Sequence, residues 1–306
     1  MIPVLLQMLP FFALIGLGYC AVRTGFFSES ALGALTKFVF WFGLTAMLFH
    51  FSADLSLGEI FDLPHTGAYV LATLAVNLTI IAAALWRGEP LAEAAVEGQC
   101  AVIGNTGFLG IPLLLALMGP EAIAPIVMML TVDLVVFGSL FTTLVTLARA
   151  GQITARMPLD IGRGLVTNPM IMAMAAGLLW AATGQPVPDP LDRTVKLLAG
   201  AATPGALFII GGSLALRGLD RPLIGGWLSC AKLVLHPGAV SLALWVTGQQ
   251  GFAAQVMIAT AALPVAGNVY MVAQYYGVAP QRVSTSILMS TLGSLLTLPL
   301  LLSMMK

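Results

Sequence analysis

Gly104-Asn105-Thr106-Gly107-Phe108-Leu109-Gly110-Ile111-Pro112 is the stretch on which the reading of this chain turns. It sits inside an apolar segment, residues 92–118, that is long enough to cross a bilayer, yet three glycines and a proline fall near its middle. Pro112 has no N–H and crowds the preceding turn, and glycine makes a non-helical backbone inexpensive. The segment is therefore expected to break, leaving bare N–H and C=O groups at membrane depth. Such groups are tolerated only where they are buried in protein or line a ligand site. A second interruption, Leu263-Pro264-Val265-Ala266-Gly267-Asn268, lies about twelve residues into the segment 252–278. Kinked packing helices have a similar composition. Two breaks at matching depth in two segments point instead to a transport site, with half-helix N-termini that favour an anion.

The surrounding chain has the composition that such spans need. Of 306 residues, 59% are hydrophobic and 8% charged, against roughly 25% charged in soluble domains. Ten apolar windows are expected as spans, at 2–22, 31–51, 64–86, 92–118, 121–148, 164–183, 190–216, 222–247, 252–278 and 282–305. The first has neither the basic start nor the cleavage pattern of a signal peptide. Thirteen Lys and Arg balance thirteen Asp and Glu, so no basic surface for nucleic acid is present. Cys20, Cys100 and Cys230 match no metal or disulfide spacing and are expected to be packing residues. No nucleophile elbow, metal-ligand cluster or phosphate loop occurs, so no catalytic residue, metal site or cofactor is expected, and the chain does not read as an enzyme.

Arginines give the orientation. Arg23, Arg87, Arg149, Arg156, Arg163, Arg217, Arg221 and Arg282 follow odd-numbered spans, whereas Arg193 and Lys306 follow even-numbered ones. By the positive-inside rule both termini lie outside, which is the periplasm for a bacterial inner membrane. The chain also repeats. Displaced by 159 residues, Pro10 meets Pro169, Gly18 meets Gly177, Thr24-Gly25 meets Thr183-Gly184, Lys37 meets Lys196 and Leu48-Phe49 meets Leu207-Phe208. Displaced by 158, Pro64 meets Pro222, Gly67 meets Gly225 and Gly119 meets Gly277. Five spans per half make the halves inverted, the arrangement from which many secondary transporters derive alternating access.

Ionisable residues inside spans are expensive and mark function or pairing. Asp133 lies twelve residues into the fifth window and Lys232 ten into the eighth, so both fall near the bilayer centre and are able to pair. They are read either as an ion pair holding two helices or as a proton- or ion-coupling element. His236 reads as a hydrogen-bonded helix residue nearer the outer face. Glu97 reads as solvated or lining an inner vestibule.

The run Asn105 to Leu114 resembles the Asn-Thr-x-x-x-Gly-Ile-Pro-Leu-Leu segment of the auxin efflux carrier family, which includes bacterial permeases for malonate and malate. Leu263-Pro264 through Tyr275, Val278 and Pro280 is similar to the family's ninth-helix pattern. Asn168-Pro169 is similar to its sixth-helix entry, and Leu48-Phe49-His50-Phe51 to the end of its second helix. The resemblance implies an all-α integral membrane protein of the bile-acid-symporter type, an architecture shared with sodium/proton antiporters. Ten helices would form two inverted five-helix repeats, with broken helices 4 and 9 crossed. It divides the chain into scaffold parts at 1–62 and 151–218 and transport parts at 63–150 and 219–306. It further implies elevator-like movement and a homodimer in the lipid bilayer.

By the same resemblance and the two breaks, the expected substrate-binding set is Asn105, Thr106, Gly107, Gly110, Pro112, Pro264, Gly267, Asn268 and Thr45, with Asn105 on a substrate carboxylate. Asp133 and Lys232 form the expected coupling set, for H+ or Na+. Thr45 stands where the plant pattern has a proline whose repeat partner, Pro204, persists. Thr73 and Asn77 stand where the plant third helix has an acid and a lysine, which argues against auxin specificity. The expected activity is secondary transport of a small organic anion such as malonate or malate. The rivals are a uniporter or exporter of an auxin-like carboxylate and a transport-dead membrane sensor.

Overall fold

The computed structural model describes residues 2–53, 62–150, 159, 162, 163, 166, 167, 169–216 and 221–305. Arg156, Arg217, Lys306 and Asn168, used above for orientation and resemblance, lie outside the described residues. The described chain is helical, and its one isolated β-bridge joins the two interrupted segments. The helices are α1 (Ile2–Arg23), α2 (Glu29–Ala53), α3 (Leu63–Trp86), α4a (Leu91–Val102), α4b (Thr106–Met118), α5 (Pro120–Ala148), α6 (Pro169–Ala181), α7 (Asp189–Ala215), α8 (Pro222–Val246), α9a (Phe252–Ala261), α9b (Gly267–Tyr275) and α10 (Pro280–Met304). Six of them, α2, α3, α5, α7, α8 and α10, are long and apolar enough to cross a membrane.

Local chemistry sets the ends. Ser28 accepts a hydrogen bond from the Ala31 N–H at the start of α2, and Asp62 accepts one from His65 at the start of α3. Proline occupies the first turn of α3, α7, α8 and α10, where its missing N–H has no helical partner to lose. The turn leaving α1 and the turn leaving α6 use Gly25 at φ 77° and Gly184 at φ 65°. The turns entering α5 and α10 use Gly119 at φ 94° and Gly277 at φ 61°. All four conformations are ones that a side chain resists.

Packing falls into two groups. Helix α1 lies along α7, and α2 packs against both α6 and α7. Elsewhere α3 packs on α4a and α8, α8 on α10 and α9a, and α4a on the end of α5. Helix contact in the first group depends on small residues. A Cβ on Gly18 would strike the Phe208 carbonyl, and one on Gly177 would come within 2.7 Å of the Phe49 carbonyl oxygen. These two contacts exchange under the 159-residue displacement, and Gly43 and Ala202, also 159 apart, meet each other.

The distribution of polarity is that of a protein in lipid. Trp86, Leu223, Phe26 and Leu197 project outward, while Thr73, Asn77, Glu97, Ser286, Ser290 and Ser294 are buried. The last three recur every four residues along α10, so one polar stripe of that helix faces the interior.

Candidate functional site

Helix α4a stops at Val102, and Ile103 turns extended at φ −81°, ψ 109°. Residues 103–105 run antiparallel to 264–266, with Gly104 opposite Val265. The Asn105 N–H donates to the Pro264 carbonyl at 2.8 Å, and the Ala266 N–H donates to the Ile103 carbonyl at 3.0 Å. Between them, the Val265 N–H donates to Ser290 Oγ at 3.0 Å from the polar stripe of α10. The two breaks thus satisfy each other's backbone, which permits unwinding away from water. Past the crossing, the Asn105 carbonyl accepts from Leu109 at 3.0 Å and Gly110 at 2.9 Å, closing a wide first turn over Thr106–Gly110 before Pro112.

Glycine keeps this region compact. A Cβ on Gly110 would overlap Leu263 Cδ1, and one on Gly107 would come 3.0 Å from Met170 Cε of α6. Gly267, by contrast, has open space where a side chain would begin. The structure therefore brings Asn105, Thr106, Gly107, Gly110, Pro264, Gly267 and Asn268 to one crossing, with Pro112 buried in the turn behind it. Asn105 is 6% exposed, and its side chain makes no hydrogen bond among the described residues. Asn268 Oδ1 is buried and likewise without a partner. Thr45 differs, because its hydroxyl returns to its own helix and donates to the Trp41 carbonyl at 2.6 Å.

The N-termini of α4b and α9b meet at this crossing, and the first-turn N–H groups of a helix have no partner within it. Two partial positive charges and the Asn105 amide, whose N–H groups can donate, suit carboxylate oxygens.

A buried polar chain lies behind the crossing. Asp133 and Lys232 each sit in a π-helical turn, a local widening that often marks functional positions. In α8 the cause is Pro237, which cannot donate to the turn before it. The widened turn in α5 leaves the Phe137 carbonyl to accept from Gln99 Nε2 at 2.8 Å. Direct pairing of Asp133 with Lys232, which the sequence allowed, is absent among the described residues. Asp133 Oδ1 instead accepts from the Tyr69 hydroxyl at 2.5 Å. Lys232 Nζ donates to the Ala261 carbonyl and stands 3.3 Å from His236 Nδ1, while His236 Nε2 meets Thr73 Oγ1 at 3.1 Å. Three partners were thus missed or undervalued. Tyr69 and Thr73, one turn apart on α3, and Lys232 and His236, one turn apart on α8, were readable as facing polar pairs.

Glu97 also differs from its expected solvated place. It is fully buried, accepts from Arg282 Nη1 at 2.6 Å and pairs with Arg87. Arg282 also reaches Glu93 at 2.8 Å and Glu89 at 3.2 Å, and Arg221 reaches Glu89 at 3.1 Å. Burial works against the Glu89 charge. The Glu93 hydrogen bond and the Arg282 and Arg221 guanidiniums outweigh it and hold the carboxyl below its ordinary range.

Residues 3–302 match the model of the family described as membrane transport protein. A Rhizobium meliloti (strain 1021) protein named "Putative malonate transporter" is 34% identical over 97% of this chain and 94% of its own length. An Escherichia coli (strain K12) protein named as an uncharacterized transporter is 26% identical, over 96% of this chain and 95% of its own. The Arabidopsis thaliana protein named "Auxin efflux carrier component 5" is 22% identical over 96% of this chain and 93% of its own.

Proposed function

Because the chain belongs to the membrane transport protein family, the family of the auxin efflux carriers, we propose that it is a secondary carrier of a small organic anion. The substrate class best suited to the site is a dicarboxylate such as malonate or malate, bound where α4 and α9 cross. The observation that carries this reading is the reciprocal backbone bridge between 103–105 and 264–266, which sets two half-helix N-termini and the Asn105 amide around one point. The name of the Rhizobium relative favours malonate.

Ten crossings in two inverted halves complete the reading. Its support is the exchange of Gly18 on Phe208 with Gly177 on Phe49 under the 159-residue displacement. That α1, α2, α6 and α7 pack mainly on one another, meeting the other helices chiefly through α4b and α10, supports scaffold parts at 1–62 and 151–218 and transport parts at 63–150 and 219–306. The transport part slides as an elevator, within a homodimer in a bacterial inner membrane whose outer side holds both termini. Movement is coupled to H+ or Na+ through Asp133 and Lys232.

Calorimetric titration of the purified protein with malonate tests the site. Saturable binding weakened in Asn105→Ala supports it, and equal affinity in a folded variant removes Asn105 from the site.

A further inference from the structure

Lys232 is wholly buried, yet no carboxylate pairs with it among the described residues. Its Nζ donates to the carbonyl of Ala261, the last residue of α9a, and lies 3.4 Å from the point where a side chain on Gly104 would begin. The last carbonyls of a helix lack helical donors and form the negative end of its dipole. At membrane depth they require a donor or a cation. In carriers with interrupted helices, half-helix C-terminal ends and unwound carbonyls are the places where coupling cations bind. Here the Lys232 amine, attached to α8, already stands at that place and lies beside the crossing.

Few other groups face it. From α8 comes His236, held by Thr73 of α3. Tyr69 of α3 has its ring centre 6.1 Å from that of His236 and donates to Asp133 of α5. The α9a side offers the Ala261 carbonyl, and Gly104 of the 103–105 segment lies beside the amine. Asp133 also acts on Lys232 through space without pairing with it, and an anion arriving at the crossing brings a further negative charge beside the amine.

We propose that Lys232 is the built-in coupling cation of this carrier, filling the place an alkali ion would otherwise take and carrying the coupling proton on its amine. The inference rests on the crossing being the substrate site, and it assigns the cation left open above as H+. When the anion binds, the amine is held as an ammonium; when the anion leaves, one proton leaves to the same side and the amine is neutral. Sodium has no place to bind while the lysine is present.

The test combines transport with a readout that needs no substrate. In proteoliposomes, malonate uptake by the natural protein follows a pH gradient and is unchanged when sodium is replaced by choline. Lys232→Met lowers pH-driven uptake by about tenfold or more, the loss expected when a charged hydrogen-bond partner is removed. Lys232→Arg, which keeps the charge but does not release a proton, retains malonate counterflow and loses pH-driven accumulation. Lys232→Ala leaves a gap beside the Ala261 carbonyl, and sodium then restores uptake and raises the unfolding temperature by about 2 to 4 °C. The natural protein shows no such sodium shift.

Sodium-driven uptake or sodium stabilisation in the natural protein overturns the proposal. So does a Lys232→Met variant with unaltered pH-driven uptake, or a folded Lys232→Ala variant indifferent to sodium. If no malonate moves but sodium stabilises Lys232→Ala alone, the cation assignment stands and the substrate reading falls.

Discussion

Asn105 combines two roles that a helix interior would deny it. Its backbone bridges to Pro264 and closes the first turn of α4b, while its amide makes no hydrogen bond among the described residues. Alanine keeps the first role and removes the second, so Asn105→Ala is expected to fold normally and to weaken malonate binding by about 1 to 3 kcal/mol, read by calorimetry. Asp133 supplies the second residue-scale prediction. Asparagine still accepts from the Tyr69 hydroxyl but carries no charge. Asp133→Asn is expected to flatten the pH dependence of uptake while leaving the unfolding temperature nearly unchanged; an unaltered pH profile removes Asp133 from coupling. Glu89 carries the stability prediction. Its carboxyl is held below the ordinary range, so its contribution is present above about pH 4.3, the unfolded value, and is lost as pH falls through the lower folded value. The unfolding-temperature gap between the natural protein and Glu89→Gln therefore closes on acidification, and a gap that widens instead contradicts the ion cluster as described.

Among the elements, the contact of α1 with α7 depends on the absence of side chains. Gly18→Val drives a methyl into the Phe208 carbonyl, whereas Gly16, two residues earlier, has open space around it. Overpacking of this kind costs about 1 to 3 kcal/mol or more. A thermal shift is expected for Gly18→Val and none for Gly16→Val, and equal behaviour of the two would contradict the close approach. The broken helices themselves were legible in sequence, because Pro112, Pro264 and their flanking glycines state the interruption chemically. That the two breaks pair as a backbone bridge was not legible, since nothing in residues 103–105 specifies 264–266 as partners. The displaced partners of Asp133 and Lys232 have a similar cause. Both residues were singled out correctly as buried charges, but their partners across helices, Tyr69 of α3 for Asp133 and the Ala261 carbonyl of α9a for Lys232, lie 64 and 29 residues away in the chain. Glu97 shows a related limit, because its cover comes from Arg282, which is 185 residues away in the chain.

At the scale of the whole molecule, two helix groups meet beside the crossing, where Gly107 faces Met170 and Thr131 Oγ1 lies 3.3 Å from Met174 Sδ. If the groups slide, joining them there stops transport. With Cys20, Cys100 and Cys230 replaced, the double variant Thr131→Cys, Met174→Cys is expected to lose uptake on mercuric cross-linking and to regain it on reduction. The composition made the membrane setting plain, and the six helices long and apolar enough to span it agree. The proposed activity is movement of a small organic anion through the crossing of α4 and α9. Uptake of labelled malonate, malate and indole-acetate into proteoliposomes, with Asn105→Ala alongside, tests it most directly. Saturable uptake of malonate or malate, reduced in the variant, is the predicted result. Correctly inserted protein that moves none of the three, or that moves them equally well without the Asn105 amide, contradicts the account.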